Sequence, residues 1–372
     1  MFTFPPVKLT LCAVFHCLIG GCGWFHYTAL NPLEQIAKQF LNDSLSNLTE
    51  AQVAFSWSSL TSIFLIGGIL SSISLAFLMD KLGRLICLLV LKNLLLIAAC
   101  VCQFLAVTQR SVFALFFGRV LAGLASSPNI FLPIFVAECA PTEWRGLTSA
   151  ICALGLQLWG VLGTVVGLPY IFGVAHLWQW ALLAPAFPAL IHLFGAAVIP
   201  DSPKYLFTSQ NSRTSCVESI LFYHGPEADV EKVLEEYRLE MELDQQQTEN
   251  ASLRHILKLK HLRWPFVLCV VASVSIAADG LLMILVGDSL GPSIVRTFIA
   301  GELCPQASRS VTAAAMFVAE DLSSTLASLY YPPVNQIIGT YARSDPMSDP
   351  IVNVRIFYAQ IQTIALRRFH TD

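Results

Sequence analysis

Charge is what this sequence most lacks. Only 13% of its 372 residues are Asp, Glu, Lys or Arg, against 55% apolar residues, and its mean hydropathy is +0.64. A soluble domain carries about a quarter charged residues, so the shortage excludes an ordinary water-facing surface and leaves lipid as the solvent. The net charge is only −3, which offers no field to a polyanion and excludes nucleic acid as a partner. Cysteine is present, 11 times, but mostly singly inside apolar runs such as 96–104 and 266–272. That pattern excludes a disulfide or zinc framework. Nucleophile elbow, P-loop and metal-ligand spacings are also missing, so neither an enzyme nor a cofactor is expected. The first apolar run has a weak basic flank and passes Gly20-Gly21 without a small-residue cleavage site. It is expected to remain as a first span.

Long apolar windows are what the sequence has instead. Stretches of bilayer length fall near Leu9–Leu30, Trp57–Met79, Ile86–Val107, Val112–Val136, Ser149–Phe172 and Trp178–Ile199. A polar stretch follows from Pro200 to Arg263, in which Val230, Val233, Leu234, Tyr237 and Met241 recur at helical spacing. It is expected to form short amphipathic helices on a membrane face. Apolar character returns from Trp264 to about Leu303 and from Val311 to Ile338, before a tail without a span. The expected organisation is therefore 1–199, a first transmembrane half; 200–263, a helical linker; 264–340, a second half; and 341–372, a tail.

Orientation follows from the basic residues. Lys81, Arg84, Arg145, Lys204, Arg254, Lys258, Lys260 and Arg263 all fall on one side, which the positive-inside rule makes cytoplasmic together with the N-terminus. The loop 31–56 falls opposite and carries two glycosylation sequons, at Asn42 and Asn47; a third, at Asn250, is on the cytoplasmic side and is expected to be unused.

One motif occurs twice. Glu138-Cys-Ala-Pro141-Thr-Glu-Trp-Arg145 reads E-x-x-P-x-x-x-R, and so does Glu302-Leu-Cys-Pro305-Gln-Ala-Ser-Arg309. Two copies, each between spans, point to duplicated halves. A carboxylate at a helix end cannot enter hydrocarbon cheaply and seeks a cation, so each copy is expected to latch two helices.

Other motifs carry a resemblance to a known family. Asp80-Lys-Leu-Gly83-Arg84 resembles the major-facilitator pattern D-R-x-G-R-R. Gly118-Arg119-Val-Leu-Ala-Gly123 resembles G-R-x-x-x-G, Pro133 through Gly146 resembles P-x-Y-x-x-E-x-x-P-x-x-x-R-G with Phe135 for Tyr, and Pro200-Asp-Ser-Pro-Lys204-Tyr-Leu resembles P-E-S-P-R-x-L. Together they resemble the facilitative glucose-transporter-like sugar porters. The resemblance implies an all-α membrane protein, a helical bundle of two pseudo-repeated halves in the plasma membrane. It also implies transport of a hexose or related small polar solute by alternating access. Trp24, Asn129, Gln157 and Trp159 are then the candidate sugar contacts. Asp80, Arg84, Arg119, Glu138, Arg145, Glu302 and Arg309 are the candidate cytoplasmic gate.

Departures from the family's pattern are equally specific. Ala153 stands where the family's fifth span has Gln, with Gln157 one turn further on the same face; 276–282 keeps only the glycine of Q-Q-x-x-G-x-N; Thr297 stands at a tryptophan position. About forty residues separate Arg263 from Glu302, room for one long span or two short ones. About nine spans are thus expected, with the second half incomplete. The alternative this raises is a transport-incompetent short isoform or a regulatory partner of a full-length carrier, with weak hexose transport. Asp279, Asp288, Arg296, Glu320 and Asp321 lie in or beside apolar runs, where ionisable groups are costly. Breakers around Asp288 suit a turn, and Glu320-Asp321 is expected to interrupt the last span. His16 and His192 are expected to be interior polar groups, since neither has a second metal ligand at helical spacing.

Overall fold

In the computed structural model the described residues are 5–46, 48–126, 131–208, 212–247 and 314–326, with positions 263, 266, 267, 270 and 312. Among them the chain is helical: α1 Val7–Leu18, a tight helical turn at Gly20–Trp24, α2 Phe25–Thr28, α3 Glu34–Leu45, α4 Glu50–Leu82, α5 Lys92–Thr108, α6 Val112–Ser126, α7 Leu132–Cys139, α8 Arg145–Val166, α9 Trp178–Leu183, α10 Ala186–Gly195, α11 Pro203–Thr208, α12 Arg213–His224 and α13 Val230–Gln247. A wide π-helical turn, Ile86–Leu91, leads into α5. Four stretches are long and apolar enough to cross a bilayer, Val7–Leu45, Glu50–Leu75, Ile86–Thr108 and Thr142–Val166, with Val112–Ser126 as a shorter apolar helix.

Two apolar clusters mark the ends of the bundle. One gathers Leu9, Met79, Cys87, Phe135, Cys139, Cys152 and Ile199; the other gathers Leu30, Leu60, Ala106, Leu115 and Trp178, with Val166 packed against it. In chain order the sequence passes between them six times: 9 to 30, 60 to 79, 87 to 106, 115 to 139, 152 to 166 and 178 to 199. A chain in lipid must close its backbone hydrogen bonds within each pass, and helices do so.

Local chemistry sets where each pass starts and stops. Thr49 accepts from Gln52 N at 3.3 Å while Thr49 N donates to Gln52 Oε1 at 2.9 Å, a capping box that opens α4 ahead of its apolar core. The first pass is broken at the Gly20-Gly21 pair and so is not one continuous helix. Pro185 ends the straight run of α9, so the sixth pass is two short helices. Residues 34–45 of the expected loop are an amphipathic helix, α3, whose Ala37 and Leu41 are buried, and Asn42 lies in its last turn. The expected interruption at Glu320-Asp321 is not there: residues 314–326 are helical throughout. Asp321 sits on Gly68 of α4, where an added Cβ would lie 2.5 Å from its Oδ2, and Glu320 is buried.

Beyond α10, helices α11–α13 form their own small core from Tyr205, Leu206, Cys216, Ile220, Leu234 and Tyr237, with Val230 and Val233 against it. The periodic apolar positions of 230–237 thus cover α11 and α12. Tyr223 of α12 belongs instead to the cluster at the end of the bundle where α1 begins, and its hydroxyl donates to Pro200 O at 2.7 Å. That contact fastens the small helical layer to the bundle.

Candidate functional site

At this same end the ends of α4 and α7 meet the segment before α11. Gly83 terminates α4 with φ +96°, a conformation that needs glycine, and an added Cβ would lie 2.6 Å from Asp201 Oδ2. The turn aims Arg84 across the bundle end. Its Nε lies 3.5 Å from Glu138 Oε2, with the two side chains 21% and 18% exposed, and its Nη1 donates to Met79 O at 3.1 Å. The guanidinium lies over the Tyr205 ring, 5.1 Å from its centroid. Ser202 Oγ donates to Glu138 Oε2 at 3.3 Å, while Asp201 Oδ1 accepts from Ser202 N at 2.7 Å and from Leu85 N at 3.2 Å. Burial pushes the Asp201 carboxyl above its usual range, against the pull of those two N–H groups and Arg84. The arrangement is a clamp: one cation, two carboxylates and a hydroxyl join α4, α7 and the approach to α11.

Two members of the expected gate have other partners here. Arg145 donates through Nε to Ala140 O at 3.3 Å, capping its own loop, and the described partner of Glu138 is Arg84. Arg119 is not at this end. It is fully buried within α6, donating through Nη1 to His26 O at 2.9 Å and lying over Phe64, 4.6 Å from the ring centroid. The G-R-x-x-x-G motif is a packing node. An added Cβ on Gly118 would lie 2.6 Å from Gln103 Cγ on α5, one on Gly123 would strike the Phe64 carbonyl on α4, and Arg119 between them holds α2. Glu302 and Arg309 lie outside the described residues, as do Asp279, Asp288, Arg296, Asn47 and Asn250, and so does the side chain of Asp80.

Of the candidate sugar contacts, Trp24 and Gln157 share a side of α8. An added Cβ on Gly160, one turn after Gln157, would lie 3.4 Å from Trp24 Cδ1, and Trp24 stacks on Tyr27 at 4.9 Å and 13°. Trp159 points elsewhere. Two residues from Gln157 it is on the opposite helix face, edge-on to Phe25 at 6.5 Å and packed against the cluster of Cys22, Leu96, Cys100, Ala125 and Ala189. Trp159 is therefore core packing. Asn129 lies outside the described residues.

Two functional-looking residues escaped the sequence reading. Lys92 and Asn93, fully buried at the start of α5, converge on His192: Nδ1 of that ring lies 3.3 Å from Lys92 Nζ and 2.9 Å from Asn93 Nδ2. His192 Nε2 in turn lies 2.9 Å from His16 Nδ1. A lysine directly after the apolar run Ile86–Leu91 was the available signal. No group of His, Cys, Asp and Glu that could hold a metal occurs among the described residues.

Passes between two apolar ends, a charge clamp at one of them and a buried polar interior define a polytopic α-helical membrane bundle. The fold bears this out: the proton:xylose symporter XylE bound to 6-bromo-6-deoxy-D-glucose superposes with a TM-score of 0.64 at 14% identity, covering 90% of each chain, and a double-tryptophan XylE mutant with 0.68, also at 14%, covering 88% of this chain and 89% of that one. The sequence profile of the family "Sugar (and other) transporter" matches residues 12–286, and the chain belongs to that family. Facilitated glucose transporter member 3 of solute carrier family 2 from Ovis aries is 25% identical over 284 residues, 74% of this chain and 57% of its own length. Member 4 from Homo sapiens is 28% identical over 281 residues, 72% of this chain and 54% of its own. The chain thus spans little more than half the length of these relatives.

Proposed function

We propose that this protein carries a hexose or related small polar solute across the plasma membrane by alternating access, with its N-terminus in the cytoplasm. The observation that carries the reading is the clamp of Arg84, Glu138, Ser202 and Asp201. Charge pairs at a bundle end hold helices together in one state and must part in another, which is what a carrier needs to expose its cargo to each side in turn. Lys81, Arg84, Arg145 and Lys204 gather at this end, which supports its being cytoplasmic. Asp80 belongs to the same loop as Arg84, and Glu302 and Arg309 repeat the motif of Glu138 and Arg145 in the second half. Trp24 offers a ring face and Gln157 an amide to sugar hydroxyls, with Asn129 as a third contact; aromatic packing with a few polar groups suits such a ligand.

The test is uptake of radiolabelled hexose by the purified full chain in liposomes. Saturable, competitor-sensitive uptake is expected, reduced about tenfold by Trp24→Ala or Gln157→Ala, the loss of about 1.4 kcal/mol of binding. Uptake equal to that of empty liposomes would overturn the reading.

A further inference from the structure

The buried row of Lys92, His192 and His16 joins three helices, α5, α10 and α1, and its hydrogen bonds dictate where its protons sit. Asn93 Nδ2 donates to Leu89 O at 2.6 Å, which fixes the orientation of the amide. The same nitrogen and Lys92 Nζ both face His192 Nδ1, at 2.9 and 3.3 Å. Both are donors, so Nδ1 accepts and His192 carries its proton on Nε2. That proton points at His16 Nδ1, 2.9 Å away, which therefore accepts and leaves His16 protonated on Nε2. Lys92 also donates to Gly20 O at 2.5 Å. The row thus has one polarity, from the lysine through both rings.

We propose that this row is a buried proton relay, with Lys92 and His16 as its two proton-holding ends. The step balances. Lys92 Nζ gives a proton to His192 Nδ1; His192 Nε2 gives its own to His16 Nδ1; Lys92 ends neutral, His192 ends as the Nδ1–H tautomer and His16 as imidazolium. Each ring keeps a hydrogen bond to its neighbour, and among the described contacts only that of Asn93 to His192 is lost. Among the described residues, the other groups facing the row are a carbonyl, a thiol and two apolar rings. They are the Gly20 carbonyl, the Cys22 thiol beside Lys92, the Phe15 ring 5.3 Å from His192 and the Phe135 ring edge-on to His16 at 5.7 Å. His16 is nine residues into α1 from Val7, about 14 Å along the helix at 1.5 Å per residue, near the middle of a ~30 Å hydrocarbon layer. A charge there is costly, so a proton that moves between α5 and α1 changes the preferred packing of both. The π-helical turn Ile86–Leu91 immediately before Lys92 is the kind of helix defect that recurs at functional sites. The inference concerns this row alone and does not depend on which solute is carried.

The experiment is ¹⁵N NMR of the full chain, labelled at histidine, in lipid nanodiscs between pH 8.5 and 5. The coupled pair identifies itself by a ring-to-ring cross-peak, since no other two described histidine rings are in contact. At high pH both rings should be Nε2–H tautomers; a proton taken up at Lys92 on acidification is passed along the row, so that His192 becomes Nδ1–H as His16 becomes imidazolium, at one shared midpoint. Lys92→Met should abolish the tautomer change at His192. Two rings titrating independently near the ordinary value of about 6.5, or a His192 that keeps Nε2–H throughout, would overturn the relay. The wild-type spectra decide the matter even if the variant does not fold.

Discussion

Arg84 Nε and Glu138 Oε2, 54 positions apart in the chain, lie 3.5 Å from each other across the ends of α4 and α7. Each side chain is mostly withdrawn from solvent, so neither charge is well solvated alone. Removing one partner leaves the other at a membrane edge without its counter-charge, which costs more than the ~1 kcal/mol of an exposed pair. Glu138→Gln and Arg84→Leu should each lower the melting temperature, and the double variant should fall by less than the sum. Arg145→Leu should be milder, because Arg145 holds a loop carbonyl. Additive single effects, or Arg145→Leu as the most damaging of the three, would dissolve the clamp.

Gly83 and Gly225 form a matched pair for separating strain from collision. Both have positive φ, +96° and +97°, yet an added Cβ at Gly83 meets Asp201 Oδ2 at 2.6 Å while at Gly225 nothing lies within 4 Å. Gly225→Ala should cost about 1 kcal/mol from backbone strain alone, and Gly83→Ala about 2 kcal/mol or more. Guided by thermal melts, equal losses at both sites would mean that Asp201 yields without cost.

His224, at the end of α12, hydrogen-bonds the backbone at Cys139, and burial beside Arg145 lowers its pKa to about 4. A group whose folded pKa is depressed stabilises fully above its unfolded pKa, about 6.5 for histidine, and loses that contribution as pH falls toward the folded value. Docking of α12 on the bundle should therefore weaken between about pH 6.5 and 4. Protease cutting in the 200–247 segment should rise over that window in the wild type and rise less in His224→Gln. Identical pH profiles for the two proteins would remove His224 from the docking.

Glycosylation tests orientation. Asn42 is exposed on α3 at the far end of the bundle from the clamp, and Asn47 follows it. Glycosidase should shift the mobility of the expressed protein, the shift should vanish when both are changed to Gln, and Asn250→Gln should leave it intact. A shift that depends on Asn250 would place the clamp outside the cell.

Apolar run length by itself determined that this chain crosses a membrane repeatedly, because twenty apolar residues have few other stable environments. Short motifs likewise located the clamp loops, since Gly83 and Pro141 act on the backbone beside them. What sequence could not decide was partnership. Glu138 was expected to answer Arg145, seven residues on, and answers Arg84 because α4 and α7 end side by side. Arg119 is expected at the gate from the family motif it belongs to, yet its place in the middle of α6 puts it among His26 and Phe64. Trp159 and Gln157 are neighbours in sequence and opposite on the helix, so only the packing of α1 and α2 on α8 told core from candidate contact. Lys92, Asn93, His192 and His16 are spread over 177 positions, and no local pattern joins them. Their hydrogen bonds exist because three apolar helices bring four polar groups to a place where water cannot serve as partner.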